Sequence, residues 1–185
     1  MAKKYVNPTK VVTGECRFSY ANLWEAKAMD ENSKPKYSVS LIIPKSDTKT
    51  IAKIKAAIEA AYEEGKSKLS NGKSVPSLSS IKTPLRDGAT DRPDDEAYAN
   101  SYFVNANSIT APGIVDADRQ QILTHSEIYS GIYGRASITF YAFNTKTSRG
   151  IACGLQNVQK LRDGEPLGGH SSAEEDFADD ENFLD

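Results

Sequence analysis

Between residues 132 and 143 the chain reads IYGRASITFYAF, and alternate positions carry different chemistry. Ile132, Gly134, Ala136, Ile138, Phe140 and Ala142 are apolar or small, whereas Tyr133, Arg135, Ser137, Thr139, Tyr141 and Phe143 join three rings to a guanidinium and two hydroxyls. Successive side chains of a strand point to opposite faces, so the first set makes a core face and the second an outward one. Solvent-facing rings beside a cation and hydroxyls can stack bases and hold phosphates. Such stacking contributes about 1–3 kcal/mol per base and tolerates any sequence, because every base has a π-face. Lys36, Arg17, Arg86 and Arg149 are candidate backbone contacts on neighbouring elements, and Trp24 is a candidate stacking platform. The competing reading is structural: the tyrosines pack beneath a loop or a second subunit, the cations are ordinary solvated residues, and Trp24 belongs to the core or its rim.

Motifs for catalysis fail on inspection. Gly72, Lys73 and Ser74 spell the end of a P-loop, but its first glycine would fall at Ser67, and no strand precedes it. His125 and His170, the two histidines, stand at no zinc-ligand spacing from Cys16 or Cys153, so no metal or other cofactor is expected. Asp94, Asp95, Glu96, Asp116 and Asp118 could collect Mg²⁺, which defines the enzymatic alternative, a metal-dependent nuclease using carboxylates such as Asp116 and Asp118. In loops, acids of this kind more often form turns or solvate the surface. No nucleophile, base and orienting group stand together, so a binder without catalysis is expected.

The elements that must position these residues follow from periodicity. KVVTGECRFSY, residues 10–20, alternates Val12, Cys16, Phe18 and Tyr20 against Thr13, Glu15, Arg17 and Ser19, which predicts one half-buried strand. KYSVSLIIP, beginning at Lys36, predicts a second strand ended by Pro44. After Ser46 and Asp47, both good N-cap types, Ile51, Ile54, Ile58, Ala61 and Tyr62 recur at helical spacing to about Gly65. Residues 66–100 read as long loops rich in Gly, Pro, Ser and Asp. Strands return at SYFVNAN, at GIVD and, most strongly, at IYGRASITFYAF and RGIACGLQNVQKL. Several strands interrupted by one helix, without strand–helix alternation, predict a mainly β fold, a small barrel or curled sheet.

Charge is divided unevenly along the chain. Of its 25 acids, seven lie in residues 173–185, AEEDFADDENFLD, which leaves 18 acids against all 23 bases in the other 172 residues, a net +5. A basic body joined to an acidic end suits a polyanion binder with an interaction tail. The tail holds too few apolar residues to offset its chain entropy and is expected to be disordered when free. Its carboxylates would attract the cations that a nucleic acid also needs, and Phe177, Phe183 and Leu184 could enter a hydrophobic pocket on a partner or on another copy. The plainer alternative is that the tail only aids solubility. No apolar run approaches the 18 or so residues of a membrane span, and MAKKYVNPTK is followed by no signal-peptide core, so a cytoplasmic setting and no membrane partner are expected. Cys16 and Cys153 sit in strand-like segments and read as buried thiols rather than a disulfide.

The stretches PLRDG, APGIVD, YSGIYGRASITFYAFN and GIACGLQNVQKLRDGEPLGG resemble a family of tailed-phage single-stranded DNA-binding proteins, and the similarity runs from SLIIPK to the acidic end. The resemblance implies an OB-fold, a five-stranded β-barrel with one inserted helix, over residues 1–165, followed by a flexible acidic tail at 166–185. It implies binding of single-stranded DNA without sequence preference in phage replication, recombination or repair, inside the infected bacterial host. It also implies that the tail, through Phe177, Asp179, Asp180, Glu181, Phe183, Leu184 and Asp185, recruits replication proteins such as a polymerase or helicase and competes with DNA; a homodimer is compatible with it. In the family the aromatic stands near the very end, whereas here Leu184 and Asp185 follow Phe183.

Overall fold

In the computed structural model, which describes residues 7–28, 30–70 and 72–167, the alternating segments become strands of one sheet. They are β1 (Lys10–Val12), β2 (Cys16–Lys27), β3 (Lys36–Pro44), β4 (Leu85–Asp87), β5 (Ser101–Ser108), β6 (Gly113–Val115), β7 (Tyr133–Asn144) and β8 (Arg149–Arg162). Three helices accompany them, α1 (Thr48–Glu64), α2 (Lys66–Ser70) and α3 (Gly88–Asp91). Five strands close on themselves: β2 pairs with β3, β3 with β5, β5 with β8, β8 with β7, and β7 returns to β2. The β5–β8 step alone is parallel within this ring, and closure satisfies strand edges that would otherwise invite foreign pairing. This is the OB-like five-stranded barrel that the resemblance implied, with β1, β4 and β6 added on its outside.

The barrel is filled from every strand, with Phe18, Leu41, Val104, Ile138, Phe140, Ile151, Leu155 and Val158 all buried in one cluster. Helix α1 adds Ile51, Ile54, Ile58 and Ala61 to it, and the Asp47 carboxylate caps the helix by accepting from the Thr50 N–H. At its other end Gly65 lies so close to β7 that an added Cβ would meet Ala142 Cβ at 2.2 Å, so only glycine lets the helix seat here. Burial pushes the Cys16 thiol up to about 12 and the Cys153 thiol further, which keeps both protonated and unreactive at neutral pH.

Two expectations are corrected. The single strand expected over residues 10–20 is two, because Thr13 leaves the ladder: its N–H donates to the Ala136 carbonyl and its Oγ1 accepts from the Ala136 N–H. The break shifts the alternation, so that Val11 is buried and Val12 is 44% exposed. Tyr20, grouped with Phe18, has a positive φ of 47° at an irregularity in the β2–β3 pairing and is 54% exposed. The second correction concerns residues 66–100, which contain α2, β4, α3 and two short 3-10 turns rather than loops alone. Leu69 and Tyr98 from this stretch are completely buried.

Candidate nucleic-acid interface

The outward face of β7 is real but not uniform. Tyr141, Thr139 and Lys36 converge with Asn107, Ile109, Gly154 and Gln156 on a groove of about 410 Å³. Four strands build it, because β3 begins at Lys36 alongside the end of β5, the parallel pairing of Asn107 with Gly154 sets that end beside β8, and Thr139 and Gly154 are register partners across β7 and β8. The Tyr141 ring is 45% exposed over Gly154, whose missing side chain leaves the ring face open. Gln156 Nε2 donates to Thr139 Oγ1 at 2.7 Å and fixes that wall. Ile109, 68% exposed, adds an apolar surface. A ring, an apolar neighbour, amides and an ammonium in one open groove suit a stacked base and its phosphate.

Tyr133 stands in a different setting. The Arg162 guanidinium lies 3.8 Å from its ring centroid and that of Arg17 5.4 Å, so the ring is covered by cations of its own molecule. Both arginines are held: Arg162 Nε donates to Glu15 Oε1 at 2.6 Å, and Arg17 donates to the carbonyls of Gly131 and Glu165. Together they line a pocket of about 260 Å³ with Ile42 and Pro44. That pocket and the Tyr141 groove mark two ends of β3, since Lys36 belongs to one and Ile42 to the other. Six residues of strand separate them, about 20 Å.

Between them Ser38 and Ser40 of β3 pair in register with Asn107 and Asn105 of β5. Residues 88–100 cover part of this surface. Tyr98 donates its hydroxyl to Ser40 Oγ and packs edge-on against Phe103, and Arg92 lies over the rings of Tyr20, Tyr98 and Phe103 at 5.1, 5.4 and 6.0 Å. Sequence reasoning missed Tyr20, Arg92, Asn107, Ile109 and Arg162. Arg162 and Ile109 could have been found from their places at strand ends beside named residues, but Arg92 and Tyr20 meet only through the fold.

The other expected residues scatter. Arg135 Nε donates to the Thr13 carbonyl and borders a shallow pocket with Val12, Arg119 and Asn157. Phe143 is half-buried towards the hairpin end of β7. Arg149 reaches the Leu69 carbonyl at 3.0 Å, and Arg86 pairs with Asp91 at 3.2 Å. Trp24 stacks flat on His125 at 4.3 Å and donates its indole N–H to the His125 carbonyl. Asp116 uses one carboxylate oxygen to accept the N–H groups of Asp118 and Gln120, the work of a turn former. Among the described residues, no three of His, Cys, Asp or Glu gather as a metal site would require. The tail residues Phe177, Asp179, Asp180, Glu181, Phe183, Leu184 and Asp185 lie outside the described residues.

Residues 163–167 run back along the barrel. Leu167 packs on Ile42, Tyr98 and Phe103, and its N–H donates to the Ser130 carbonyl. Lys160, 8% exposed, holds both Glu127 and Asp163. Burial opposes its charge, but the hydrogen bonds to Asp163 and Glu127 outweigh this and hold its pKa above the ordinary value. Hydrogen bonds from Lys160 and Tyr129 hold the Asp163 carboxyl below its ordinary value.

A family model described as "Enterobacter phage Enc34, ssDNA-binding protein" matches residues 9–184. Protein p50 of Acyrthosiphon pisum secondary endosymbiont phage 1 is 28% identical over 177 residues, which span 92% of this chain and 93% of that protein. Among solved structures, the single-stranded DNA-binding protein from bacteriophage Enc34 in complex with ssDNA matches with a TM-score of 0.72 at 25% identity, over 86% of this chain and 90% of that one. The single-stranded DNA-binding protein encoded by bacteriophage T7 matches with a TM-score of 0.60 at 16% identity, over 94% of this chain and 96% of that one, a likeness of fold alone.

Proposed function

The chain belongs to the family of Enterobacter phage Enc34 ssDNA-binding proteins, and from that premise we propose that it binds single-stranded DNA without sequence preference and without catalysing a reaction on it. The observation that carries the reading is the convergence of Tyr141 and Thr139 of β7 with Lys36 of β3 on one open groove of the barrel. Stacking on Tyr141 supplies contact with any base, and Lys36 supplies charge for the adjoining phosphate. The protein acts in phage DNA replication, recombination and repair, in the cytoplasm of the infected host. Residues 173–185 recruit a replication protein such as a polymerase or helicase through Phe177, Phe183 and Leu184, and their seven carboxylates compete with DNA for the basic body.

The test is a titration of the full-length protein with labelled single-stranded and double-stranded oligonucleotides at two salt concentrations, followed by Mg²⁺ and a denaturing gel. Preference for the single strand, weakening with salt and intact DNA are the expected results. Equal affinity for both forms, or cleavage that disappears in Asp116→Asn with Asp118→Asn, overturns the reading.

A further inference from the structure

Beyond Tyr141 the strand β7 reaches Asn144, and the hairpin 145–148 turns the chain into β8. Across a cleft of about 560 Å³, residues 144–149 face Ser70, Lys73, Ser80, Ile81 and Lys82. The lining carries four cations, Lys73, Lys82, Lys146 and Arg149, with hydroxyls between them, and neither a carboxylate nor an aromatic ring. None of the four forms an ion pair among the described residues. Like charges gathered in this way repel one another, so something must hold the walls together.

Hydrogen bonds to the backbone do so. Lys82 N–H donates to the Arg149 carbonyl at 3.2 Å and the Lys82 carbonyl accepts from Ile151 at 2.8 Å, stitching one wall to β8. Asn144 Nδ2 reaches the Lys68 carbonyl and Arg149 Nη1 the Leu69 carbonyl, tying the hairpin to α2. Thr145 and Ser148 close the hairpin on itself. A firm cleft lined by one sign of charge focuses the field on whatever enters it, and cations with hydroxyls and no ring suit phosphate oxygens rather than bases. Its near wall begins three residues beyond Tyr141, about 10 Å along the strand, with Phe143 between.

We propose that this cleft is a second, ring-free phosphate-binding site, which holds the backbone of the single strand after it leaves the Tyr141 groove and so lengthens the segment that one copy covers. The proposal rests on the single-strand reading above.

Its test is the triple variant Lys73→Ala, Lys82→Ala and Lys146→Ala, whose side chains are exposed. Folding is checked by circular dichroism. Full-length variant and parent are titrated across salt with oligothymidines of about 6 and about 20 nucleotides, a length inside and one beyond the span of one OB barrel. For the longer oligonucleotide we expect at least a tenfold loss at low salt, and a slope of log affinity against log salt shallower by about 2, since each lysine lost removes about 0.7. The shorter should bind as before. Unchanged affinity and slope for the longer strand overturn the proposal, and so does equal loss for both lengths, which would merge the cleft with the first groove. The same pair is compared without residues 173–185: a triple-variant effect that vanishes there assigns the cleft to the chain's own carboxylates and also overturns it. A parent protein that binds neither oligonucleotide refutes the single-strand reading itself, a different failure.

Discussion

Tyr133 and Tyr141 share a strand, a parity and a residue type, yet their surroundings separate them. The alternation of β7 made both outward, and that much was legible, because a period of two decides the face of each residue. What covers a ring is a tertiary fact. Arg162 and Arg17 come to Tyr133 from β8 and β2, whereas Tyr141 meets Gly154, which has no side chain to cover it. Tyr141→Ala should therefore lose about 1–3 kcal/mol of single-strand affinity while its melting temperature stays that of the parent. Tyr133→Ala should instead lower stability by roughly 0.5–3 kcal/mol, since it strips two guanidiniums of their stacking partner. Fluorescence titration and thermal melting of both variants check the pair; an unaltered melting temperature in Tyr133→Ala with lost affinity would assign base stacking to that ring after all.

The elements divide in the same way. β3, α1, β5 and β7 were legible because each keeps one period and some end at a recognisable residue, such as Pro44 or Gly65. β8 was legible because each of its halves alternates, although a register shift between Leu155 and Asn157 moves its buried parity from Leu155 to Val158. The break between β1 and β2 was not, because its cause is a partner 123 residues away: Thr13 replaces two ladder bonds of Ala136 with its own N–H and hydroxyl. No local pattern reports such an exchange. Thr13→Val keeps the shape but leaves the Ala136 N–H buried without an acceptor, so unfolding in urea should show a loss of about 1–3 kcal/mol. Residues 163–167 make the other dependence testable. The lowered pKa of Asp163 means that its contribution is present above the unfolded value of 3.8 and is lost as pH falls through the folded one. The raised pKa of Lys160 means that its contribution is present below 10.5 and is lost as pH rises through the folded value. Protection of the Leu167 amide, corrected for intrinsic exchange, should be level between these limits and fall on the acid side below about 3.8, and Asp163→Asn should abolish the acid limb.

At the scale of the molecule, charge and fold answer different questions. The barrel is neutral as to partner until cations are placed on it, and the chain places them in clefts: Arg17 with Arg162, Lys36 beside Tyr141, and Lys73, Lys82 and Lys146 with Arg149. The net charge of −2 hides this, because the seven acids of residues 173–185 reverse the sign of a body that carries +5. The attraction proposed between the two parts is screened over about 10 Å at 0.1 M salt. Deleting residues 173–185 should therefore tighten single-strand binding most at low salt, and the affinities of full-length and shortened protein should converge as salt rises. The shortened protein should also show the steeper salt dependence, since DNA then displaces only small counterions and no longer a tethered anion. Titrations of both forms over a range of salt separate this from a tail that only aids solubility, which would leave the two curves superimposed at every salt concentration.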